Sequence, residues 1–561
     1  MRDGVRLYTA VYVPKGGKDF PILMERTPYG SEPYGKGAMP DFEGPYVKAG
    51  YAFASQDVRG TFLSGGTFEN VRPFRPGKPD EATDTYDTID YLVKHVAGNN
   101  GRVGLRGISY PGFYAAAGAL SRHPALRAVS PQAPVTNWFV GDDVHHNGGF
   151  FLQDNFSFSA WFDVPRKGPE TEHKGIELPE TSKNAYAFYL DGGSAEALEK
   201  RYFKGRSPYW KEIVKHPNYD GYWKARALEG QIRDVRCAVL TVGGWFDAED
   251  LWGALNLYAA TERQSPGIEN DLVMGPWTHG QWAEEGRSTG GMDWGSDTAA
   301  WYRENVEFPF FDKHLRGTEG KPVAEATMFE TGTNVWRRFE VWPPKGLSPQ
   351  AVYLDSGGKL ASSTPALGND AYVNDPLHPT PYLADPATEE RPQALLAQDE
   401  AWAAKRKDVL TYSGGPLGRA TTLAGPIDVD LWVTTTGTDG DFVVKLLDLA
   451  PNGEPHAGEM RTVRADVIRG RFRRSLSTPE AFVPGEPTEV RMRMNDVLHT
   501  FKAGHRMVVQ VQSSWFPLVD RNPNRFVPNV EKAVPGDFQR ATVRVLRGGK
   551  RASALRFGVL R

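Results

Sequence analysis

Ser109, Asp247 and His279 are residues whose types, order and surroundings could make a hydrolytic relay. Ser109 lies in Gly107-Ile108-Ser109-Tyr110-Pro111-Gly112, between a short strand-like run, Arg102 to Arg106, and an alanine-rich segment, Phe113 to Leu120, that reads as a helix. A serine on so tight a turn projects its Oγ from strained backbone beside a helix N-terminus, which is how a nucleophile is presented. Small neighbours permit the turn, and Pro111 suits the first helical turn, where a missing N–H costs nothing. The usual pattern has its second glycine two residues after the serine; here that place holds Pro111, and Gly112 follows. A neutral hydroxyl needs a base and an acid that orients the base. Val239 to Phe246 is a buried-strand pattern that ends at Asp247, and Leu272 to Gly275 is another, followed by Trp277-Thr278-His279-Gly280. His279 would take the Ser109 proton and return it to the leaving group, while Asp247 would orient the imidazole and stabilise its charged form.

Acids crowd the same stretch, since Ala248, Glu249 and Asp250 follow Asp247. One reading is helix chemistry: Asp247 near the cap and Glu249 and Asp250 in the first turn of a helix from Leu251, where the macrodipole favours each anion by about 0.3 to 1 kcal/mol. The other is a site where clustered acids, costly to keep ionised together, take up a cation. His145-His146 brings metal chemistry to mind, but no dense ligand motif such as His-Glu-x-x-His is present, and neither metal nor cofactor is expected. The single Cys237 excludes an intramolecular disulfide and reads as a buried strand residue.

Positioning these groups takes a large scaffold, and 561 residues imply two or three domains. Up to about residue 137 strands (Val5 to Val13, Pro21 to Arg26, Tyr51 to Asp57) alternate with helices such as Glu81 to His95, which implies a mainly parallel sheet covered on both faces. From 138 to 232 amphipathic aromatic segments with no convincing strand suggest an inserted helical cap. The alternation resumes at 233 and closes at 321 with a helix from Ala299 to Leu315. From 322 to 561 short β-branched runs and turns such as Pro451-Asn452-Gly453 suggest a β-sandwich or jelly roll. The fold class expected is therefore α/β plus all-β. With 15 Trp, 22 Tyr and 29 Phe, aromatic packing is extensive, in keeping with the large β component. A net charge of −3 leaves no footprint for nucleic acid, no apolar run reaches membrane-spanning length, and Met1-Arg2-Asp3-Gly4 shows no signal peptide.

Gly-x-Ser-Tyr-x-Gly, Met1-Arg2-Asp3-Gly4-Val5, Arg26-Thr27-Pro28-Tyr29, Gln56-Asp57-Val58-Arg59-Gly60, Trp245-Phe246-Asp247 and Trp277-Thr278-His279-Gly280 together resemble the hallmarks of one family of serine hydrolases. It is the α/β-hydrolase family of cocaine esterase, X-prolyl dipeptidyl aminopeptidases and α-amino acid ester hydrolases, and the resemblance covers nearly the whole chain. It implies an α/β-hydrolase domain with a helical cap and a C-terminal jelly roll. It also implies that Tyr29, with the backbone N–H of Tyr110, forms the oxyanion hole. In the α-amino acid ester hydrolases a carboxylate cluster holds the substrate's ammonium; the matching positions here are Glu249, Asp250 and Asp143, with Asp142 one residue away in register. Substrates implied are α-amino acid esters and amides, including β-lactams with an α-amino acyl side chain; a homo-oligomer and export to the periplasm or medium are implied too.

Other functions fit parts of this pattern. A glutaryl-cephalosporin acylase, an X-prolyl dipeptidyl aminopeptidase or a cocaine-esterase-like carboxylesterase would use the same scaffold. An aromatic-rich jelly roll would also serve a carbohydrate-binding or adhesion protein, whose binding would survive loss of Ser109.

Overall fold

A computed structural model describes residues 1–561 apart from 36, 38, 39, 41–43, 76 and 320–322. Its first sheet has, among the described residues, nine strands: β1 (Thr9–Tyr12), β2 (Phe20–Thr27), β3 (Ala52–Asp57), β4 (Asn99–Ile108), β5 (Leu126–Gln132), β6 (Ala238–Gly244), β7 (Asn270–Gly275), β8 (Ala326–Glu330) and β9 (Val335–Phe339). They lie in the order β1-β3-β2-β4-β5-β6-β7-β8-β9, parallel from β3 to β8 with an antiparallel strand at each edge. The chain leaves β2 toward β3 on one side and returns to β4 on the other. The crevice between β2 and β4 is thus a topological switch point, where open α/β sheets bind ligands.

Helices α1 (Glu81–His95), α2 (Tyr110–Ala119), α3 (Leu152–Phe162), α4 (Leu251–Gln264) and α5 (Phe308–Arg316) accompany this sheet. Ile22, Val103 and the buried residues of α2 share one apolar cluster, while Leu23, Leu240 and Phe310, Phe311 and Leu315 of α5 share another, as period-2 strands buried on both faces require. The family-like residues near the N-terminus have a structural task. Arg26 meets Glu81 at 3.0 Å and Arg59 meets Asp84 at 2.6 Å, which neutralises the acidic first turn of α1 in the interior.

Two expectations change. The helix expected over Ala299 to Leu315 is interrupted by a π-turn at Arg303–Glu307, because Pro309 has no N–H for the carbonyl one turn earlier. The segment 138–232 is largely helical but contains a two-stranded hairpin, His145–His146 with Gly149–Phe150, too short to leave an alternating pattern. The boundary expected at 321/322 falls on residues outside those described, and β8 and β9 beyond it still belong to the first sheet.

The C-terminal region carries, among the described residues, an eleven-stranded, mostly antiparallel system. Its longest pair, Thr421–Thr435 and Thr488–Phe501, alternates buried Ile427, Val429, Leu431 and Val433 with outward polar residues. Trp245, Phe246, Ala465, Val467, Trp515 and Leu518 form one cluster, so this β region is packed directly behind the loop that carries Asp247.

Candidate active site

Ser109 follows β4 at once and has φ 66° and ψ −124°, a conformation that a residue with a side chain holds only when its surroundings impose it. They do. Ser109 N–H donates to the Gln132 carbonyl at the end of β5 (2.8 Å), and the Ser109 carbonyl accepts from Phe113 N–H (3.0 Å). A β-carbon on Gly107 would lie 2.4 Å from the Pro111 carbonyl oxygen, and one on Gly112 2.6 Å from that of Gln132. Gly112, displaced past Pro111, is therefore the residue that lets α2 lie against β5.

Asp247 and His279 end on neighbouring loops, three residues after β6 and four after β7. Asp247 Oδ2 is 2.9 Å from His279 Nδ1, while its Oδ1 accepts the N–H groups of Glu249 (2.8 Å) and Asp250 (3.1 Å). Burial favours the protonated Asp247 carboxyl, but the imidazole and these N–H groups outweigh it and hold its pKa below the ordinary value. His279 Nε2 is 3.3 Å from Glu249 Oε2. Among the described residues Ser109 Oγ makes no hydrogen bond.

Tyr29 stands two residues beyond β2, on a loop tied down by Asp57, whose Oδ1 accepts Ser31 N–H at 2.6 Å. Its ring packs edge-on against Tyr110 and Phe162, and burial raises its hydroxyl pKa well above the usual value, so it remains a donor. The Tyr110 hydroxyl is occupied, donating to Asn70 Oδ1 (3.1 Å) and accepting from Val71 N–H (2.6 Å). Its backbone N–H opens α2, where no intrahelical acceptor exists.

The acids divide by environment. Asp142 turns away from the cavity: Oδ2 accepts from Thr136 N–H (2.9 Å), Thr136 Oγ1 (2.6 Å) and Asn137 N–H (2.7 Å), and Oδ1 from Gly253 N–H (2.7 Å). Asp143 turns toward it and accepts from Trp138 Nε1 at 3.0 Å. Burial, then the nearby Glu249, pushes the Asp143 carboxyl up to about 7. Glu249 Oε1 meets Arg391 Nη2 at 2.5 Å, and Arg391 Nε meets Asp154 Oδ2 on α3 at 2.6 Å. Asp250 departs from both readings of the sequence. It stands at the N-cap of α4 without capping it, is wholly buried outside the cavity wall, and neither carboxyl oxygen has a hydrogen-bond partner among the described residues. Burial and the neighbouring Asp143 and Asp142 raise its pKa well above the ordinary value and so favour its protonated form. It bears on the site through its neighbours.

Tyr29, Ser109, Asp143 and Glu249 line one cavity of about 230 Å³ together with Tyr209 and Arg391. Arg391, Trp138 and Asp154 were not foreseen. Arg391 lies in Ala361 to Glu400, a Pro-, Ala- and Asp-rich excursion of the β region, where nothing local marks a residue that reaches a distant carboxylate. His145 is buried, 3.3 Å through Nδ1 from the Trp138 carbonyl, and burial pushes its pKa down to about 3; His146 pairs with Asp466 at 3.0 Å. Among the described residues no group of three or more His, Cys, Asp or Glu is arranged to hold a metal, and no helix is long and apolar enough to cross a membrane.

A doubly covered, mainly parallel sheet with a strained serine after β4 and a hydrogen-bonded Asp–His pair on the loops after β6 and β7 is the architecture of an α/β-hydrolase type of serine hydrolase. Residues 3–281 match the X-Pro dipeptidyl-peptidase (S15 family) model and residues 317–556 that of the X-Pro dipeptidyl-peptidase C-terminal non-catalytic domain. The chain belongs to this family, which includes cocaine esterase. Cocaine esterase of Rhodococcus sp. (strain MB1 Bresler) is 28% identical over 545 residues, covering 93% of this chain and 91% of its own. Two solved structures are more similar. An aminopeptidase from a marine sediment Thaumarchaeota archaeon is 34% identical with a TM-score of 0.94, and a selenomethionine-labelled α-amino acid ester hydrolase is 35% identical with a TM-score of 0.93; each alignment covers 100% of this chain and 95% of the other.

Proposed function

We propose that this serine hydrolase cleaves or transfers α-amino acyl groups from esters and amides, β-lactams with an α-amino acyl side chain included, through an acyl-enzyme on Ser109. His279 is the base and Asp247 its orienting acid; the Tyr29 hydroxyl and Tyr110 N–H receive the oxyanion; Asp143 and Glu249 hold the substrate's ammonium, with Asp250 behind them. The observation that carries this reading is the cavity that Ser109 shares with Asp143 and Glu249. An acyl group at Ser109 thereby shares its cavity with acids as well as with Trp138, Val144 and Phe158. The C-terminal β region is read as a jelly roll on its long, alternately buried strands. A second reading, an aminopeptidase that releases dipeptides, is favoured by the archaeal neighbour and the family model and would place the bond after the second residue at Ser109.

The test compares kcat/KM for phenylglycine methyl ester, its N-acetylated counterpart and a dipeptidyl anilide. The free amino ester should be strongly preferred. Asp143→Asn and Glu249→Gln should each erode that preference by about 2 to 5 kcal/mol, the loss when a buried charge loses its partner. Activity on the amino ester should also fall as pH rises through the substrate's own amine pKa. A preference that survives both substitutions sinks the ammonium site, and a faster dipeptidyl anilide favours the peptidase.

A further inference from the structure

His279 stands between two carboxylates. Nδ1 faces Asp247 Oδ2 at 2.9 Å and Nε2 faces Glu249 Oε2 at 3.3 Å. Nδ1 hydrogen-bonds Asp247, and Nε2 lies within ion-pair distance of Glu249 without a hydrogen bond to it, so the two carboxylates together favour a ring that carries protons on both nitrogens. Such a ring has no lone pair for the Ser109 hydroxyl. We propose that Glu249 keeps His279 as an idle imidazolium and that a substrate's ammonium group, by taking over the Glu249 carboxylate, releases the base, so that the ammonium switches on catalysis as well as anchoring the substrate. This rests on the reading of Asp143 and Glu249 as the ammonium site.

The surrounding charges agree with that sense. Asp247 and Glu249 face His279 from the loop after β6 and Asp143 from the loop after β5, and Asp250, whose protonated form burial favours, is buried near them; Arg391 balances Glu249 only through its other oxygen. Burial alone would lower the imidazole pKa, but Asp247 and Glu249 outweigh it and push it up to about 10. An ammonium among Asp143 and Glu249 adds a positive charge and offsets that of Glu249 beside Nε2. The Nε2 proton then passes to the solvent buffer, and the freed lone pair can accept the Ser109 proton as the Oγ–acyl bond forms.

A substrate without an ammonium isolates the effect. Hydrolysis of p-nitrophenyl acetate by the full chain is followed from pH 5.5 to 9.5, with and without methylammonium chloride, against potassium chloride at equal ionic strength. The unaltered enzyme should still be gaining kcat/KM above pH 9, clear of the Asp143 titration at about 7. Tyr29 stays protonated throughout. Glu249→Gln should move the midpoint down by roughly 1 to 3 pH units and raise the rate at pH 7 at least about tenfold. Methylammonium should raise the rate of the unaltered enzyme at pH 7 and leave Glu249→Gln unmoved; this arm on the unaltered enzyme stands even if the variant does not fold. An unaltered-enzyme midpoint near the ordinary histidine value of about 6.5, or no gain from methylammonium, overturns the inference. If the preference for free over N-acetylated amino esters persists in that case, the substrate reading stands without it.

Discussion

Tyr29 separates transition-state stabilisation from binding most cleanly, because it lines the cavity while its ring is clamped by Tyr110 and Phe162. Removing only its hydroxyl oxygen should leave the ring in place. Tyr29→Phe is expected to lower kcat by roughly 10² to 10³ with little change in KM, because a fixed donor works on charge that develops only in the tetrahedral state. A kcat within a factor of about three of the parent, in steady-state assays on one ester, would place the oxyanion elsewhere. Ser109 has its own chemical signature. Rapid quench and peptide mapping should locate an acyl group on it, and Ser109→Ala should lose nearly all turnover; an adduct on any other residue removes the assignment.

Among the elements, the turn from β4 into α2 rests on a close approach that can be tested without touching a reacting atom. Gly112→Ala brings a methyl to 2.6 Å from the Gln132 carbonyl oxygen, which must push α2 from β5 and disturb the Ser109 N–H bond to the same carbonyl. Overpacking of this kind costs about 1 to 3 kcal/mol, so both the urea midpoint and kcat should fall. A stability within about 0.5 kcal/mol of the parent, with kcat unchanged, would mean that the turn has slack. Such local geometry was legible beforehand: a Gly-flanked serine, strand runs ending at Asp247 and before His279, and the helix over Glu81 to His95 all follow from short-range pattern. The π-turn before Pro309, the hairpin at His145 and the burial of Asp250 were not legible. The first depends on how a proline is accommodated, the second is two residues per strand, and the third depends on which adjacent acid turns inward. Asp142 and Asp143 make the same point, since identical neighbours take opposite faces and only hydrogen bonds from Thr136, Asn137 and Gly253 decide between them.

For the molecule as a whole, the C-terminal β region is part of the active-site foundation. Arg464 donates through Nη1 to the Trp245 carbonyl at 2.8 Å, two residues before Asp247. Arg391 reaches from its excursion to join Asp154 on α3 with Glu249. One guanidinium thus ties three parts of the chain at the cavity wall, and its side chain is only 5% exposed. Burial decides its magnitude: an exposed pair would contribute about 1 kcal/mol or less, whereas a buried charge stripped of its partner costs about 3 to 5 kcal/mol. Arg391→Met keeps much of the side-chain bulk but leaves Asp154 and Glu249 without their cation. It should lower the free energy of unfolding in urea by about 3 to 5 kcal/mol, and adding Asp154→Asn and Glu249→Gln to it should recover much of that loss. The same change exposes His279 to the full charge of Glu249, which favours the imidazolium, so acetate hydrolysis at pH 7 should fall and its alkaline rise should move to still higher pH. A loss of under about 1 kcal/mol together with an unmoved pH profile would make Arg391 a bystander and leave the packing behind Trp245 and Phe246 as the link between the β region and the catalytic loops.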